Sequence, residues 1–373
     1  MAVLDHKRRE TPAPEVIPAP AAPDLRAVRR EVDAALATFL DAKEQSAPGP
    51  ELRSLIDRIR TFLAGGKRLR PLLCVTGWHA AGGGSDRATA VRAAAGLELF
   101  QAFALIHDDV MDASDTRRGR PSTHRAMAAA YLAAHGGPAA RADRHGQGAA
   151  VLVGDLALIW SDELLNGAGL AARRPERLLP LLDEMRGEVL YGQYLDLQTT
   201  GRLSADVDTP LRVIRYKTAK YTVERPLHVG AALAGATPQA EAALSAFALP
   251  LGEAFQLRDD LLGVFGDPER TGKSVLDDLR AGKATVLMAL AAQRASHRQL
   301  RALHARFGRP NLTERDAAVV RSVLEATGAR QAVEELIRTR LAQALTALDH
   351  APFPAGARAA LREIARSATT RQA

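Results

Sequence analysis

Three aspartates close an apolar run in QAFALIHDDVMDASDTRRGR, residues 101–120, and two arginines follow within two turns. An α-helix turns once in about 3.6 residues, so a helical run sets Asp108 and Asp112 one turn apart on one face, with Asp109 beside them. Carboxylates this close repel: at an effective dielectric near 20, a pair about 4 Å apart costs up to roughly 4 kcal/mol. A fold that gathers them must gather a cation as well. All-oxygen donors suit a hard ion such as Mg2+, which keeps several waters and bridges to substrate phosphates. Arg117 and Arg118 add the forked donors that phosphate oxygens accept in pairs. A solvated, charged helix end would explain this stretch taken alone. A second acidic cluster removes that explanation: Gln256, Asp259 and Asp260 fall at i, i+3 and i+4 and share a helix face.

Around these clusters the apolar residues recur at helical spacing, as in Val28, Val32, Leu36 and Leu40. Alanine, leucine and arginine dominate the 373 residues while aromatics are 4%, which favours helix over sheet. The expected fold is all-α. Residues 1–24, with Pro12, Pro14, Pro18, Pro20 and Pro23, read as a disordered tail, and residues 25–373 as one helical domain without repeats. Helices are expected over Leu25–Lys43, up to Gly65, over Arg87–Asp112, Thr123–Ala134, Ala149–Leu165, Leu178–Gln198, Leu211–Arg225, Leu227–Ala234 and Pro238–Arg258, and in three C-terminal segments. Ala149–Leu165 is apolar nearly all round and reads as a central helix. His135–Gln147 reads as a loop or mobile insertion, and Pro226 as the residue that ends or kinks its helix. Gly192, Gln193 and Asp196, polar positions in an apolar helix, read as hydrogen-bonded core members.

The formal charge of +7 comes from basic residues scattered among acids, and no nucleic-acid-binding pattern accompanies it. Cys74 is the only cysteine, so no intrachain disulfide or thiolate metal site forms. No apolar stretch approaches 18 residues and the N-terminus lacks a signal-peptide core, so no membrane span is expected and the cytoplasm is the default. A further anion site is suggested by Gly65, Gly66, Lys67 and Arg70: two glycines permit a close backbone approach, and Pro71 can open a helix whose free amides face an anion.

GGKRLRP, DDVMD with RRGRP, KTAKY, FQLRDDLLGVFGD and TGK, in that order between Gly65 and Lys283, resemble the trans-isoprenyl diphosphate synthases. The resemblance implies an antiparallel helix bundle around a deep central cavity, with the two aspartate motifs facing each other across its mouth. It implies Mg2+ held mainly by Asp108, Asp112 and Asp259, with Asp109 and Asp260 in support. Arg117, Lys217 and Lys273 would contact an allylic diphosphate. Lys67, Arg70, Gln101 and Arg118 would bind isopentenyl diphosphate, with Gly66 and Lys283 also on the substrate sites, and Thr218 and Gln256 near the reacting carbons. Gly263 stands where many members carry a third aspartate. The family's usual homodimer is the expected assembly.

Two other readings share the first motif. A terpene cyclase would not need the Lys67 and Arg70 site and usually carries an Asn/Asp, Ser/Thr, Glu pattern in place of a second aspartate motif. A catalytically silent partner subunit tends to lose aspartates that are all present here. For product length, helical geometry sets Leu97, Gln101 and Ala104 on the stripe under Asp108 with Phe100 on its flank. The resemblance points instead to Phe103, five positions before the first aspartate. With the small Ala104 next to it, the pattern resembles synthases that stop at geranylgeranyl diphosphate, with farnesyl diphosphate as the alternative.

Overall fold

The computed structural model describes residues 23–84, 86–167, 175–267 and 275–369. Its helices are α1 Leu25–Gln45, α2 Pro50–Leu63, α3 Leu69–Ala80, α4 Arg87–Met111, α5 Thr123–His135, α6 Ala139–Asn166, α7 Pro175–Thr199 and α8 Asp208–Val213. A π-helix, Ile214–Glu224, follows, and then α9 Arg225–Ala234, α10 Pro238–Phe265, α11 Asp277–Ala281, α12 Val286–Arg294, α13 His297–His304, α14 Glu314–Ala326, α15 Ala329–Asp349 and α16 Ala355–Thr369. The all-α expectation holds, with one small exception among the described residues: Thr116–Arg117 (β1) and Arg120–Pro121 (β2) pair as an antiparallel hairpin. Tail residues 1–22 lie outside the described residues. Asp24, placed in the tail by composition, instead caps α1 by accepting from the Arg26 and Ala27 amides.

α4 is buried along most of its length and packs on α1, α3, α6 and α9. It is long and apolar enough to cross a membrane, but 72% of that window is buried inside the protein, as in a core helix. The core forms two apolar clusters. One joins α1–α4, α6, α7, α9 and α16; the other joins α12–α15; and α10 contributes Phe247 and Leu251 to the first and Leu257 and Leu261 to the second. Cys74 is buried, and burial pushes its thiol up to about 12.

Three helix expectations are corrected. His135–Gln147 is not a loop: α6 begins at Ala139, and at Gly146 a Cβ would lie 2.2 Å from the His124 carbonyl oxygen. This glycine marks close packing of α6 on α5, a contact between helices that local composition cannot report. Ala149–Leu165 is not central, since Leu152 and Ile159 are more than half exposed. Pro226 does not end its helix. It occupies the first turn of α9, where a missing N–H is tolerated, and the preceding π-helix runs into that turn.

The junction between α2 and α3 uses Gly65 and Gly66 at φ 78° and 90°, followed by Arg68 at φ 51°. Arg68 is the structural member of that basic run. Its buried guanidinium donates to Asp33 Oδ1 on α1 (2.8 Å), the Leu63 carbonyl on α2 (2.7 Å) and Glu98 Oε2 on α4 (2.9 Å). Both members of the Arg68–Glu98 pair are nearly inaccessible. Without Glu98 the buried guanidinium keeps only the solvent-exposed Asp33 as a charged partner, so Glu98→Ala is expected to lower the unfolding free energy by about 2–3 kcal/mol, read from denaturant titration.

Candidate active site

α4 carries Asp108 and Asp109, both buried, and ends at Asp112, which is half-buried. The hairpin that follows turns through Arg118 and Gly119, at φ 54° and 72°. Two consecutive positive φ values make the turn type whose twist matches paired strands. Its effect is to send the two arginines apart. Arg117 turns inward: Nε donates to Asp109 Oδ1 (2.9 Å) and Nη2 to Asp109 and to Asp108 Oδ2 (3.3 Å). Arg118 reaches the α2–α3 junction, where Nη1 donates to the Phe62 carbonyl (3.3 Å), and a Cβ on Gly66 would lie 3.1 Å from that same nitrogen.

Lys217 comes from the π-helix, and its Nζ donates to Asp108 Oδ1 (2.9 Å) and Asp196 Oδ2 (2.6 Å). Lys283, just beyond α11, donates to Asp112 Oδ2 (2.6 Å) and Asp196 Oδ2 (3.2 Å). Burial opposes the charge on Asp108, but Lys217, Lys283 and Arg117 outweigh it and hold the carboxyl well below its usual range. Burial likewise opposes the Lys283 charge, and Asp196, Asp108 and Asp112 overcome it, raising that lysine. Asp112 moves the other way, raised by burial and by Asp108 against the pull of Lys283.

Asp108, Asp112 and Asp196 offer carboxylate oxygens all within 4.8 Å of one another. Such a hard, anionic, all-oxygen set fits a divalent cation. It differs from the expected trio in that Asp196 of α7 joins Asp108 and Asp112, and the half-buried Asp259 is outside this group. Sequence reasoning treated Asp196 as a core member. Its burial is real, but its partners are the two site lysines; the available signal was the polar set Gly192, Gln193 and Asp196 on one apolar helix. From α10 it is Asp260 that reaches the cleft, a space of about 80 Å3 also lined by Asp196, Lys217, Thr218, Gln256 and Lys283. Thr218 Oγ1 donates to Gln256 Oε1 (2.8 Å), and Gln256 Nε2 donates to Asp260 Oδ1 (2.8 Å). Lys273 lies outside the described residues.

A second basic group adjoins the junction. Arg70 is buried, donates to Thr222 Oγ1 (2.7 Å) and stacks over the Tyr221 ring at 4.1 Å. Its Nε has no hydrogen-bond partner. Burial lowers Arg118, and the Arg68, Arg117 and Arg70 charges add to that against the pull of Glu98. Neither Arg70 nor Arg118 forms a salt bridge among the described residues. Crowded cations without carboxylate partners suit an anion with several oxygens. Lys67 is exposed beside them, and Gln101 is half-buried on α4 two turns before Asp108. Below the aspartates, the buried Phe100 and Phe103 rings lie 5.4 Å apart; Phe100 also packs on Tyr221 and Phe103 on His107. Ala104 is partly buried beside them.

The polyprenyl synthetase family model matches residues 53–326. The chain belongs to that family. Among polyprenyl synthetases, a geranylfarnesyl diphosphate synthase from Aeropyrum pernix is 32% identical over 78% of this chain and 85% of its own. A (2E,6E)-farnesyl diphosphate synthase from Mycobacterium tuberculosis is 32% identical over 83% of this chain and 80% of its own. A geranylgeranyl pyrophosphate synthase from Corynebacterium glutamicum, solved with isoprenyl diphosphate and magnesium, superposes with a TM-score of 0.89 at 41% identity, covering 94% of this chain and all of that one. As a polyprenyl synthetase the chain is a trans-isoprenyl diphosphate synthase of the short-chain type.

Asp260 gives the synthase a pH signature without its ligands. Burial is the main cause that raises its carboxyl to about 7; Asp278, Asp259 and Asp196 add to it and the Gln256 hydrogen bond opposes it. Between 3.8 and about 7 the unfolded chain releases this proton while the folded one keeps it, so stability declines as pH rises through that window. Asp260→Asn, in chelator-treated protein, is expected to raise the melting temperature more above pH 7 than below pH 4. Equal shifts at both ends would contradict the assignment.

Proposed function

We propose that this synthase uses Mg2+ to join isopentenyl diphosphate head to tail to an allylic diphosphate, with geranylgeranyl diphosphate as the product. The observation that supports this most directly is the presence of two separate cationic groups. Lys217, Lys283 and Arg117 surround the aspartates, while Arg70 and Arg118 stand apart across the hairpin. A single-substrate cyclase needs only the first, and a silent partner subunit needs neither.

Asp108 and Asp112 with Asp196, supported by Asp259 and Asp260, would hold Mg2+, which would supply neutralisation of the charge that builds on the departing diphosphate. The protein's own part is to hold that diphosphate with Lys217, Arg117 and Lys273. As the allylic carbon–oxygen bond breaks, the electron pair leaves with the diphosphate, and Lys217 and Arg117 would stabilise the negative charge that develops there. Lys67, Arg70 and Arg118 orient isopentenyl diphosphate so that its double bond attacks the allylic carbon; the resulting cation then gives a proton to an oxygen of the released diphosphate, which completes the new alkene. Thr218 and Gln256 border the reacting carbons. Phe100, Phe103 and Tyr221 exclude water from the cation. We take Phe103 and Phe100 as the floor that stops growth. With the small Ala104 beside Phe103, that floor favours the twenty-carbon product, and farnesyl diphosphate is the alternative. Exposed apolar residues on α6 (Val151, Leu152, Ile159) and α7 (Leu190, Tyr191, Tyr194) support a homodimer in which a second copy covers them.

Labelled isopentenyl diphosphate should be incorporated only with both an allylic primer and Mg2+, and Asp108→Ala or Asp259→Ala should abolish incorporation without unfolding the chain. Activity that survives a chelator would end this reading. Arg70→Ala should raise the KM for isopentenyl diphosphate and Lys217→Ala that for the allylic partner, each by about tenfold to a hundredfold, as expected for one lost charged hydrogen bond. Phe103→Ala or Phe100→Ala should lengthen the product, and an unchanged distribution from both would remove them as the floor.

A further inference from the structure

We propose that Glu188, Gly192 and Gly252 are positioning residues that set the depth at which the π-helix presents Lys217 and Thr218 to the active site. This rests on reading Lys217 as an allylic-diphosphate ligand. The π-helix lies between α7 and α10, and each of those helices sets one glycine against its backbone. A Cβ on Gly192 would lie 2.3 Å from the Lys217 amide nitrogen and 2.7 Å from its Cα. A Cβ on Gly252 would lie 2.4 Å from the Ala219 Cα. Both obstacles are backbone atoms, which cannot swing aside as a side-chain end can. Neither glycine has a positive φ, so conformational freedom is not what it contributes there. The contribution is space, at the residues that flank Lys217 and Thr218.

Glu188, one turn before Gly192 on α7, grips the far half of the same π-helix. It accepts from Lys220 Nζ, from Arg225 Nε at 2.7 Å and from Arg225 Nη2 at 2.8 Å. Runs of π-helix are uncommon and recur at functional sites, and this one is held by three fixed contacts. The consequence is seen at the side chains: Lys217 Nζ reaches Asp108 and Asp196 together, and Thr218 Oγ1 meets Gln256. A methyl group at 192 or 252 would shift the π-helix by roughly 1 Å, a displacement that can cost about a hundredfold in rate.

The test compares Gly192→Ala, Gly252→Ala and Glu188→Gln with Lys217→Ala, the Gly192→Ala/Lys217→Ala pair, and Gly146→Ala as a control for glycine packing far from the π-helix. Melting temperature, kcat and both KM values are measured on the full-length enzyme with Mg2+. Each of the three variants should raise the allylic KM or lower kcat by about tenfold or more, leaving the isopentenyl diphosphate KM within about twofold. The paired variant should lose clearly less than the product of the two single losses, because Gly192 acts in large part through the Lys217 side chain that the second substitution removes. Gly146→Ala should lower the melting temperature and leave both KM values unchanged. Multiplying losses, or variants that only melt earlier, would overturn the proposal. If the alanine variants do not fold, Glu188→Gln, which keeps the side-chain volume, decides the matter. If Lys217→Ala itself leaves the allylic KM unchanged, the underlying reading of Lys217 fails instead.

Discussion

The site depends on charge balance among Asp108, Asp112, Asp196, Lys217 and Lys283. Three carboxylates with oxygens within 4.8 Å of one another would push α4 and α7 apart if nothing neutralised them. Two lysines from distant segments hold them together, one from the π-helix and one from the turn after α11. The same groups are those a diphosphate and its cation would use. Carboxylates largely compensated by these lysines hold their geometry, and a bound diphosphate would exchange one set of partners for another instead of building the site anew. Preorganisation of this kind lowers the reorganisation needed when charge moves.

The hairpin after α4 divides the remaining positive charge. Arg117 and Arg118 are adjacent in sequence, yet the left-handed turn at Arg118 and Gly119 sends one to the aspartates and the other to the α2–α3 junction. Arg68 performs a different task from its neighbours, tying α1, α2 and α4 to the start of α3 so that Arg70 is held over Tyr221. Two separate cationic groups are what a two-substrate condensation requires, since each diphosphate must be held while its carbons meet.

Much of this was legible because the chemistry is local. The 108–112 spacing is one helical turn, and the Gln256, Asp259, Asp260 face needs only helical geometry to be seen. The contacts that escaped reading cross between elements. Asp196 sits in an apolar helix, and only the fold shows that its neighbours are lysines from two other segments. Gly146 and Gly148 in an Arg- and Ala-rich stretch resemble loop residues, whereas Gly146 is small because α5 passes against it. Helical spacing gave no sign of a π-helix at Lys217 either, since the apolar pattern of so short a segment does not separate a π turn from an α turn. Pro226 was read as a breaker from its chemistry alone; its place in a first turn, where no N–H is needed, depends on where the π-helix hands over to α9.

Two separate cationic groups predict that two diphosphates bind at once in separate places. A crystal structure with Mg2+, isopentenyl diphosphate and an unreactive thio analogue of an allylic diphosphate tests it directly. The analogue's diphosphate should lie beside Asp108, Asp112 and Lys217, and the isopentenyl diphosphate on Lys67, Arg70 and Arg118. A single occupied diphosphate site under saturating concentrations of both, or isopentenyl diphosphate bound away from Arg70 and Arg118, would contradict it.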